Sequence, residues 1–203
     1  MKFKLKLLPI NIIPGILVIA FYYTFTFISL AFYPTPFNPL NNWLSDLGNS
    51  NYNPNGAFFY NLGCILTGIA LFPFYLSMYK LYGEEIWHKI LSIIIQIIGC
   101  CSGFALIMIG MYPIELGVPH MIWSGAFFWF NLIVLILANI TLIFHKDFMK
   151  PIAVYGFGVA IFNFLLVIIT IFFIITPLLE WFTVFAALGY VGLIIFNRYR
   201  KHL

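Results

Sequence analysis

Long apolar segments, separated by short and more polar connections, make up most of this sequence. Five segments cover residues 10–32, 57–79, 90–112, 121–144 and 152–175, and a shorter sixth covers residues 178–196. A helix needs about 20 apolar residues to cross the hydrocarbon core of a bilayer. The segments lack the alternating pattern of a barrel strand, which leaves helices as the spanning form. The sequence therefore predicts an all-α fold, a six-transmembrane helical bundle that forms a single domain over residues 1–203.

Composition excludes the soluble classes of protein. Hydrophobic residues make up 63% of the chain and charged residues 8%, whereas a soluble domain carries about 25% charged residues. The net charge is +4, but the basic residues form short clusters beside the apolar segments. That placement favours contact with anionic lipid headgroups over nucleic acid. Membrane lipids are therefore the predicted partners, while the sequence identifies neither a cofactor nor a protein partner.

The basic residues also predict an orientation in the membrane. All of them lie before the first span, between spans two and three, between spans four and five, or after span six. An even number of crossings places these regions on one side, and the positive-inside bias makes that side cytoplasmic. We therefore expect a multi-pass protein of the cell membrane with cytoplasmic N- and C-termini. The ten residues are Lys2, Lys4, Lys6, Lys80, Lys89, Lys146, Lys150, Arg198, Arg200 and Lys201.

The first outer loop, residues 33–56, is the longest and most polar connection. Asn38 is a suitable helix cap before Pro39, and Gly48 is a suitable helix stop. Between them, four apolar residues follow helical i, i+3, i+4, i+7 spacing. This pattern predicts a short interfacial helix on the outer leaflet, anchored by its tryptophan. The four residues are Leu40, Trp43, Leu44 and Leu47.

Asp46 stands out within this loop. The predicted helix puts it in the last turn, where the helix dipole disfavours a negative charge. A residue placed against its local preference indicates a tertiary partner. The alternatives are that Asp46 is solvated or caps the turn that follows it. Asp46 is therefore a candidate catalytic acid.

The second outer loop adds an imidazole and a second acid. His120 lies in the first turn of span four, where the positive helix end favours the neutral ring, so it could accept a proton or bind a metal. The alternative is an interfacial histidine bonded to a loop carbonyl. Glu115 lies nearby, and it could equally be a first-turn acid. Glu180 ranks below both for the same reason. No Lys or Arg lies on this side, so these acids need water, a histidine proton, a metal or a substrate headgroup as partner.

The segment Leu-Ser-Asp-Leu-Gly at residues 44–48, with Pro54 and the Phe pair at 58–59, resembles the prokaryotic membrane family known as domain of unknown function 998. It is more distantly similar to the DRAM, Sfk and FGF-receptor-activating-protein superfamily, in which a histidine also opens a middle span. Here His120, followed by small and Phe residues from Ser124 onward, occupies that place. Asn55 departs from the superfamily pattern, which has a Glu after the proline.

The resemblance implies a six-span fold, lipid handling that includes remodelling of glycosylphosphatidylinositol lipids, and membrane-localised regulation. The leading hypothesis is accordingly a lipid-modifying enzyme or a lipid-binding protein with a polar site at the outer leaflet. His120 would act as the base, oriented by Asp46 and helped by Glu115. A metal held by these three side chains is a variant of this hypothesis. The expected substrate contacts are Ser45, Asn49, Asn55 and Ser124.

Two other classes of function stay open. The first is a non-enzymatic structural or regulatory membrane protein whose polar loops form a docking surface. The second is a transporter, which is restricted to neutral solutes because the predicted spans contain no charged residue midway across the bilayer.

Overall fold

A computed structural model of the protein describes residues 12–81, 85–172 and 177–200. It contains six long α-helices and no strand among the described residues. Each helix is long and apolar enough to cross a membrane, which confirms the predicted six-helix bundle. The helices are α1 (Ile13–Ala31), α2 (Ala57–Ser77), α3 (Ile86–Met111), α4 (Val118–Phe144), α5 (Lys150–Ile171) and α6 (Pro177–Arg200).

Several helices extend beyond the apolar segments that predict them. Helix α3 begins at Ile86, ahead of the predicted residue 90, and α6 continues to Arg200, beyond the predicted residue 196. A helix satisfies its own backbone hydrogen bonds, so it can continue past the apolar stretch and place charged side chains at its ends. Residues 10–11 and 173–175 of the predicted first and fifth spans lie outside the described residues, as do Lys2, Lys4, Lys6 and Lys201.

The helices pack in the order in which they occur along the chain. Each packs against its neighbours in sequence, and α6 returns to contact α1. Short connections favour this antiparallel arrangement of consecutive helices. Loop 1 (residues 32–56) and loop 3 (residues 112–117) meet at one end of the bundle, where the turn Leu44–Gly48 contacts both the turn Ile114–Leu116 and α6. We call this the loop-1 end.

Glycines allow α2 and α3 to approach each other closely. A Cβ atom on Gly68 would lie 2.6 Å from the carbonyl oxygen of Gly103, and a Cβ on Gly103 would lie 2.9 Å from the carbonyl oxygen of Gly68. Small residues at a membrane helix interface let the two backbones make van der Waals contact. The two glycines therefore set the spacing of the α2–α3 pair.

The short helix predicted in loop 1 is present, but its extent and position differ from the prediction. It is a five-residue 3-10 turn, Leu44–Gly48, and it does not begin at Asn38. All five of its residues are buried in the loop-1 end of the bundle, so the predicted interfacial placement is wrong. Leu40, expected on the apolar face, is 62% exposed.

The geometry of a 3-10 turn explains this difference. Side chains three residues apart eclipse each other in a 3-10 helix, which puts Leu44 and Leu47 on the same side. Both are fully buried, at 0% exposure. The longer α-helical face that would include Leu40 does not form, because the chain before Trp43 makes turns around Asn38 instead. Loop 1 therefore folds inward, and its turn packs between the ends of the helices.

The close contact between Gly68 and Gly103 leads to a prediction about stability. Gly68→Ala places a methyl group against the Gly103 backbone, which cannot move aside without separating α2 from α3. We expect a loss of about 1–3 kcal/mol in the free energy of unfolding, measured by equilibrium unfolding in mixed detergent micelles. Gly125→Ala on α4, where a Cβ meets nothing within 4 Å, is the matched control. Equal stability of the two variants would contradict the close helix contact.

Candidate functional site

Two carboxylates cap the start of the buried turn in loop 1. The Trp43 N–H donates to Asp46 Oδ2 at 2.8 Å, and the Leu44 N–H donates to Glu180 Oε2 at 2.7 Å. Backbone N–H groups at the start of a helical turn have no acceptor within the turn, so these oxygens satisfy them. Asp46 therefore lies in the first turn, where a negative charge is favoured, and its predicted position in a last turn is wrong.

Glu115 fastens loop 1 to loop 3. Its Oε1 accepts hydrogen bonds from the Ser50 N–H at 3.2 Å and from Ser50 Oγ at 2.7 Å. The sequence has no Lys or Arg in the connections at this end of the bundle, and it predicts a water, a histidine proton, a metal or a substrate headgroup as the partner of the acids. Instead, all three acids accept N–H groups of loop 1.

Polar side chains from α1, α2 and loop 1 itself hold the other end of the same turn. Ser29 Oγ donates to the Leu47 carbonyl at 3.0 Å, and Asn53 Nδ2 donates to the same oxygen at 2.9 Å. Asn61 Nδ2 donates to the Gly48 carbonyl at 2.9 Å. A Cβ atom on Gly48 would collide with the Asn61 side chain, so glycine is required for this approach. Loop 1 is thus fixed at both ends of its turn.

A cavity of about 110 Å³ lies beneath loop 1, between the helices. A single buried water needs about 10–15 Å³ measured in this way, so the cavity can hold a larger molecule. Its lining on α2 extends from Tyr60 to Tyr75, which corresponds to about 22 Å along the helix axis. Four polar residues line it near loop 1, namely Ser45, His120, Ser124 and Glu180.

His120 has one ring nitrogen engaged. Its Nδ1 lies 2.9 Å from the Tyr112 carbonyl oxygen, and since a carbonyl only accepts, Nδ1 carries the proton. In the neutral ring Nε2 is then the unprotonated nitrogen, available to accept a proton. His120 is 6% exposed and lines the cavity. The sequence suggests a hydrogen bond from His120 to a loop carbonyl as the alternative to a functional role. That bond is present, and it orients an imidazole ring that also lines the cavity.

The residues expected to contact a substrate fall into two groups. Ser45 and Ser124 line the cavity, and Ser124 Oγ also donates to a backbone carbonyl of its own helix. Asn49 and Asn55 are not among the lining residues. The Oδ1 atom of Asn49 accepts the Asn51 N–H at 2.9 Å within a turn, and Asn55 is exposed just before α2.

The structure does not join the predicted catalytic residues directly. The Asp46 carboxylate is engaged by Trp43 and the His120 ring by Tyr112, and no hydrogen bond connects Asp46 to His120. Within residues 12–81, 85–172 and 177–200, no group of three His, Cys, Asp or Glu side chains is placed to hold a metal. The metal variant therefore has no ligand set there.

The acid that does share the cavity with His120 is Glu180. The sequence alone makes Glu180 a weaker candidate for the site than Asp46 or Glu115, because an acid in the first turn of a helix has a local electrostatic explanation. The available signal was its setting, a lone carboxylate flanked by Leu179 and Trp181, since an acid in an apolar run is costly without a partner. Glu180 is 9% exposed and ties α6 to loop 1 through Leu44.

Burial raises the pKa of Asp46 above its ordinary value, while hydrogen bonds from the Trp43 N–H and the Asn42 side chain oppose this effect. The folded protein therefore binds this proton more tightly than the unfolded chain does. It follows that the stability associated with Asp46 is fully present below the ordinary Asp pKa and declines as the pH rises through the raised value.

Two substitutions separate the hydrogen bond of Asp46 from its charge. Asp46→Asn keeps an oxygen for the Trp43 N–H, so we expect it to match or exceed the stability of the wild type as the pH rises above the ordinary Asp range. Asp46→Ala leaves that N–H unsatisfied, and we expect a loss of about 1–3 kcal/mol. Unfolding in detergent micelles over a pH series measures both. Equal losses in the two variants would show that the charge itself is stabilising.

Comparison with known proteins identifies the family of this chain. Residues 16–196 match the model of the family described as "Protein of unknown function (DUF998)". The matched range contains all six helices except the ends of α1 and α6. Neither a curated protein nor a solved structure matches the chain. The protein is thus a multi-pass membrane protein that belongs to the DUF998 family.

Proposed function

We propose that this protein binds an amphipathic lipid in its central cavity, with the polar group of the lipid at the loop-1 end. The observation that carries the proposal is the polarity gradient of the cavity. His120 and Glu180 lie close to loop 1, within the first turns of α4 and α6. The deeper lining is mainly aliphatic and aromatic, and includes Leu71, Phe74 and Ile194. This is the arrangement that suits a molecule with one polar and one apolar end.

Loop 1 supports the proposal by closing the polar end of the cavity. Ser45 lines the cavity from within the turn Leu44–Gly48, so the loop forms part of the binding site. The hydrogen bonds of Glu180 and Glu115 to this loop connect it to α6 and to loop 3. A headgroup under loop 1 would therefore meet a preformed polar surface, which lowers the entropic cost of binding.

A second candidate function, lipid modification, is favoured by the position of His120. The Tyr112 carbonyl holds the ring in the tautomer whose Nε2 can accept a proton. A base beside a bound headgroup could activate a hydroxyl or a water molecule. Asp46 and Glu115 would act on this reaction through loop 1 and loop 3, which they hold in place, and not by direct contact with His120.

We further propose that the loop-1 end faces the outside of the cell membrane. The basic residues of the described ranges lie at the opposite ends of the helices or in the connections there, namely Lys80, Lys89, Lys146, Lys150, Arg198 and Arg200. The positive-inside bias supports a cytoplasmic location for that end. The polar end of the lipid site would then lie at the outer leaflet.

Filling the cavity tests lipid binding. Ala187 lines the cavity, and Ala187→Phe should displace a bound lipid because the ring occupies the same space. We expect the wild type to carry lipid through purification, measured by native mass spectrometry, and the variant to lose most of it. Ala20→Phe is the matched control, since Ala20 is exposed on α1. Retention of lipid by a folded Ala187→Phe protein would overturn the proposal.

His120→Gln distinguishes binding from modification in the same assay. The variant should still carry lipid, and if the protein modifies that lipid, the product should disappear from cell extracts. An unchanged lipid profile with intact binding would favour the non-enzymatic reading. A structural or regulatory role would be favoured if the protein carries no lipid and if substitutions in loop 1 abolish binding of a protein partner.

Cysteine labelling tests the orientation. The variants are Tyr52→Cys in loop 1, where the native side chain is 58% exposed, and Lys146→Cys between α4 and α5. Both are made in a chain whose native cysteines, Cys64, Cys100 and Cys101, are replaced. A membrane-impermeant maleimide should label only the loop-1 variant in intact cells. The reverse pattern would invert the proposed topology.

A further inference from the structure

One carboxylate belongs to the wall of the cavity at its loop-1 end. Glu180 lines the cavity and is 9% exposed. Its Oε2 accepts the Leu44 N–H at 2.7 Å, which fixes the position of the carboxylate. An N–H group carries no net charge, so this hydrogen bond leaves the negative charge of an ionised Glu180 in place. Ionised side chains within a membrane bundle almost always face a cavity or pair with another charge.

The described lining of the cavity does not balance this charge. The lining residues that the structure describes include neither Lys nor Arg. His120 also lines the cavity, but the carboxylate that acts on its ring is that of Glu115. Asp46 is close enough to act on Glu180, and it adds a second negative charge. The loop-1 end of the cavity is therefore negative, and a positive group on the occupant would supply the opposite charge.

Two tyrosines accompany Glu180 on the cavity wall. Tyr22 on α1 and Tyr60 on α2 both line the cavity, and the Glu180 charge acts on each of them. Their hydroxyl oxygens lie 3.3 Å apart, and their rings meet edge to face. Aromatic rings attract cations, and they recur in sites that recognise quaternary ammonium groups. The tyrosines therefore add to the preference for a cation that the carboxylate creates.

The same charges exclude an anionic headgroup. The sequence has no Lys or Arg in residues 31–57, 112–120 or 172–182. Phosphate recognition relies on Arg, Lys or clustered N–H groups. The loop-1 N–H groups of Trp43, Leu44 and Ser50 are already bonded to carboxylates. A phosphate under loop 1 would therefore meet repulsion without compensating donors.

The wall that α6 contributes below Glu180 is an apolar stripe. Val184, Ala187, Val191 and Ile194 follow Glu180 at helical spacing, and all of them line the cavity. The stripe from Glu180 to Ile194 is about 21 Å long, which exceeds half of the roughly 30 Å hydrocarbon core. A cavity of about 110 Å³ that follows this stripe is long and narrow. Such a shape suits one extended alkyl chain.

Building on the proposed lipid-binding function, we infer that the occupant is a single-chain amphiphile with an ammonium headgroup, which pairs with Glu180 beside Tyr22 and Tyr60. Its alkyl chain then lies along the α6 stripe. Long-chain amines and long-chain quaternary ammonium compounds both carry such a headgroup. An amine can donate an N–H to the carboxylate, whereas a quaternary ammonium interacts through its charge and with the aromatic rings.

Equilibrium binding to the purified full-length protein in phosphatidylcholine nanodiscs tests this inference, with binding to empty nanodiscs subtracted. The cationic probes are radiolabelled dodecylamine and dodecyltrimethylammonium. Radiolabelled dodecanol and dodecyl phosphate carry the same chain with a neutral and an anionic headgroup. Near neutral pH, we expect at least one cation to bind at least about tenfold more tightly than dodecanol and dodecyl phosphate.

Glu180→Gln removes the charge and keeps an oxygen for the Leu44 N–H. We expect the affinity of the preferred cation to fall about tenfold in this variant, while the affinity for dodecanol stays within about twofold of the wild type. Glu85→Gln is the matched control, because it removes an equal charge from an exposed residue at the opposite end of the bundle that does not line the cavity. Its affinity for the cation should stay within about twofold of the wild type.

The outcomes separate this inference from the proposed function. If neither cation binds more tightly than dodecanol and dodecyl phosphate, or if a Glu180→Gln protein that still binds dodecanol also binds the cation as tightly as the wild type, the headgroup assignment is wrong. Lipid binding then survives, provided that Ala187→Phe abolishes binding of one of these compounds. If Ala187→Phe weakens the binding of none of the four, the proposed function itself fails.

Discussion

The loop-1 end depends on one type of interaction, a carboxylate that accepts a backbone N–H group. Loop 1 enters an apolar bundle, where an unsatisfied N–H is costly because little water is present. Asp46, Glu180 and Glu115 accept the N–H groups of Trp43, Leu44 and Ser50 in turn. The acids need no cation, since charge-assisted bonds to N–H groups stabilise them as well. Without these bonds, burial of the turn would leave its N–H groups unsatisfied.

Several features follow from the inward fold of this loop. The motif at residues 44–48 now has a role for most of its members. Leu44 and Leu47 fill the core, Asp46 caps the turn, and Gly48 allows the backbone to contact α2. Ser45 is the member that lines the cavity. The motif therefore serves mainly to build the closed polar end of the cavity.

The sequence predicts the helices well and the site only in part. Apolar run length predicts all six helices, because transfer into lipid depends on contiguous residues. The roles expected of His120, Ser45 and Ser124 stay predictions, but all three residues line the cavity. Asn49 and Asn55 do not, since one is engaged in a turn and the other is exposed. The catalytic role assigned to His120, Asp46 and Glu115 stays a prediction. The loop-1 helix was misplaced because its spacing fits both an α-helix on a surface and a 3-10 turn in a core.

Apolar run length and composition in the amino-acid sequence were enough to predict a membrane protein and the six long helices of the described chain. Each of these depends on local composition, which can be analysed without knowledge of the tertiary contacts. The groups that the buried acids bind depend instead on contacts between distant parts of the chain. Glu180 meets Leu44 across 136 residues of chain, and Glu115 meets Ser50 across 65. Such pairings depend on how six helices pack, and no local pattern encodes that geometry.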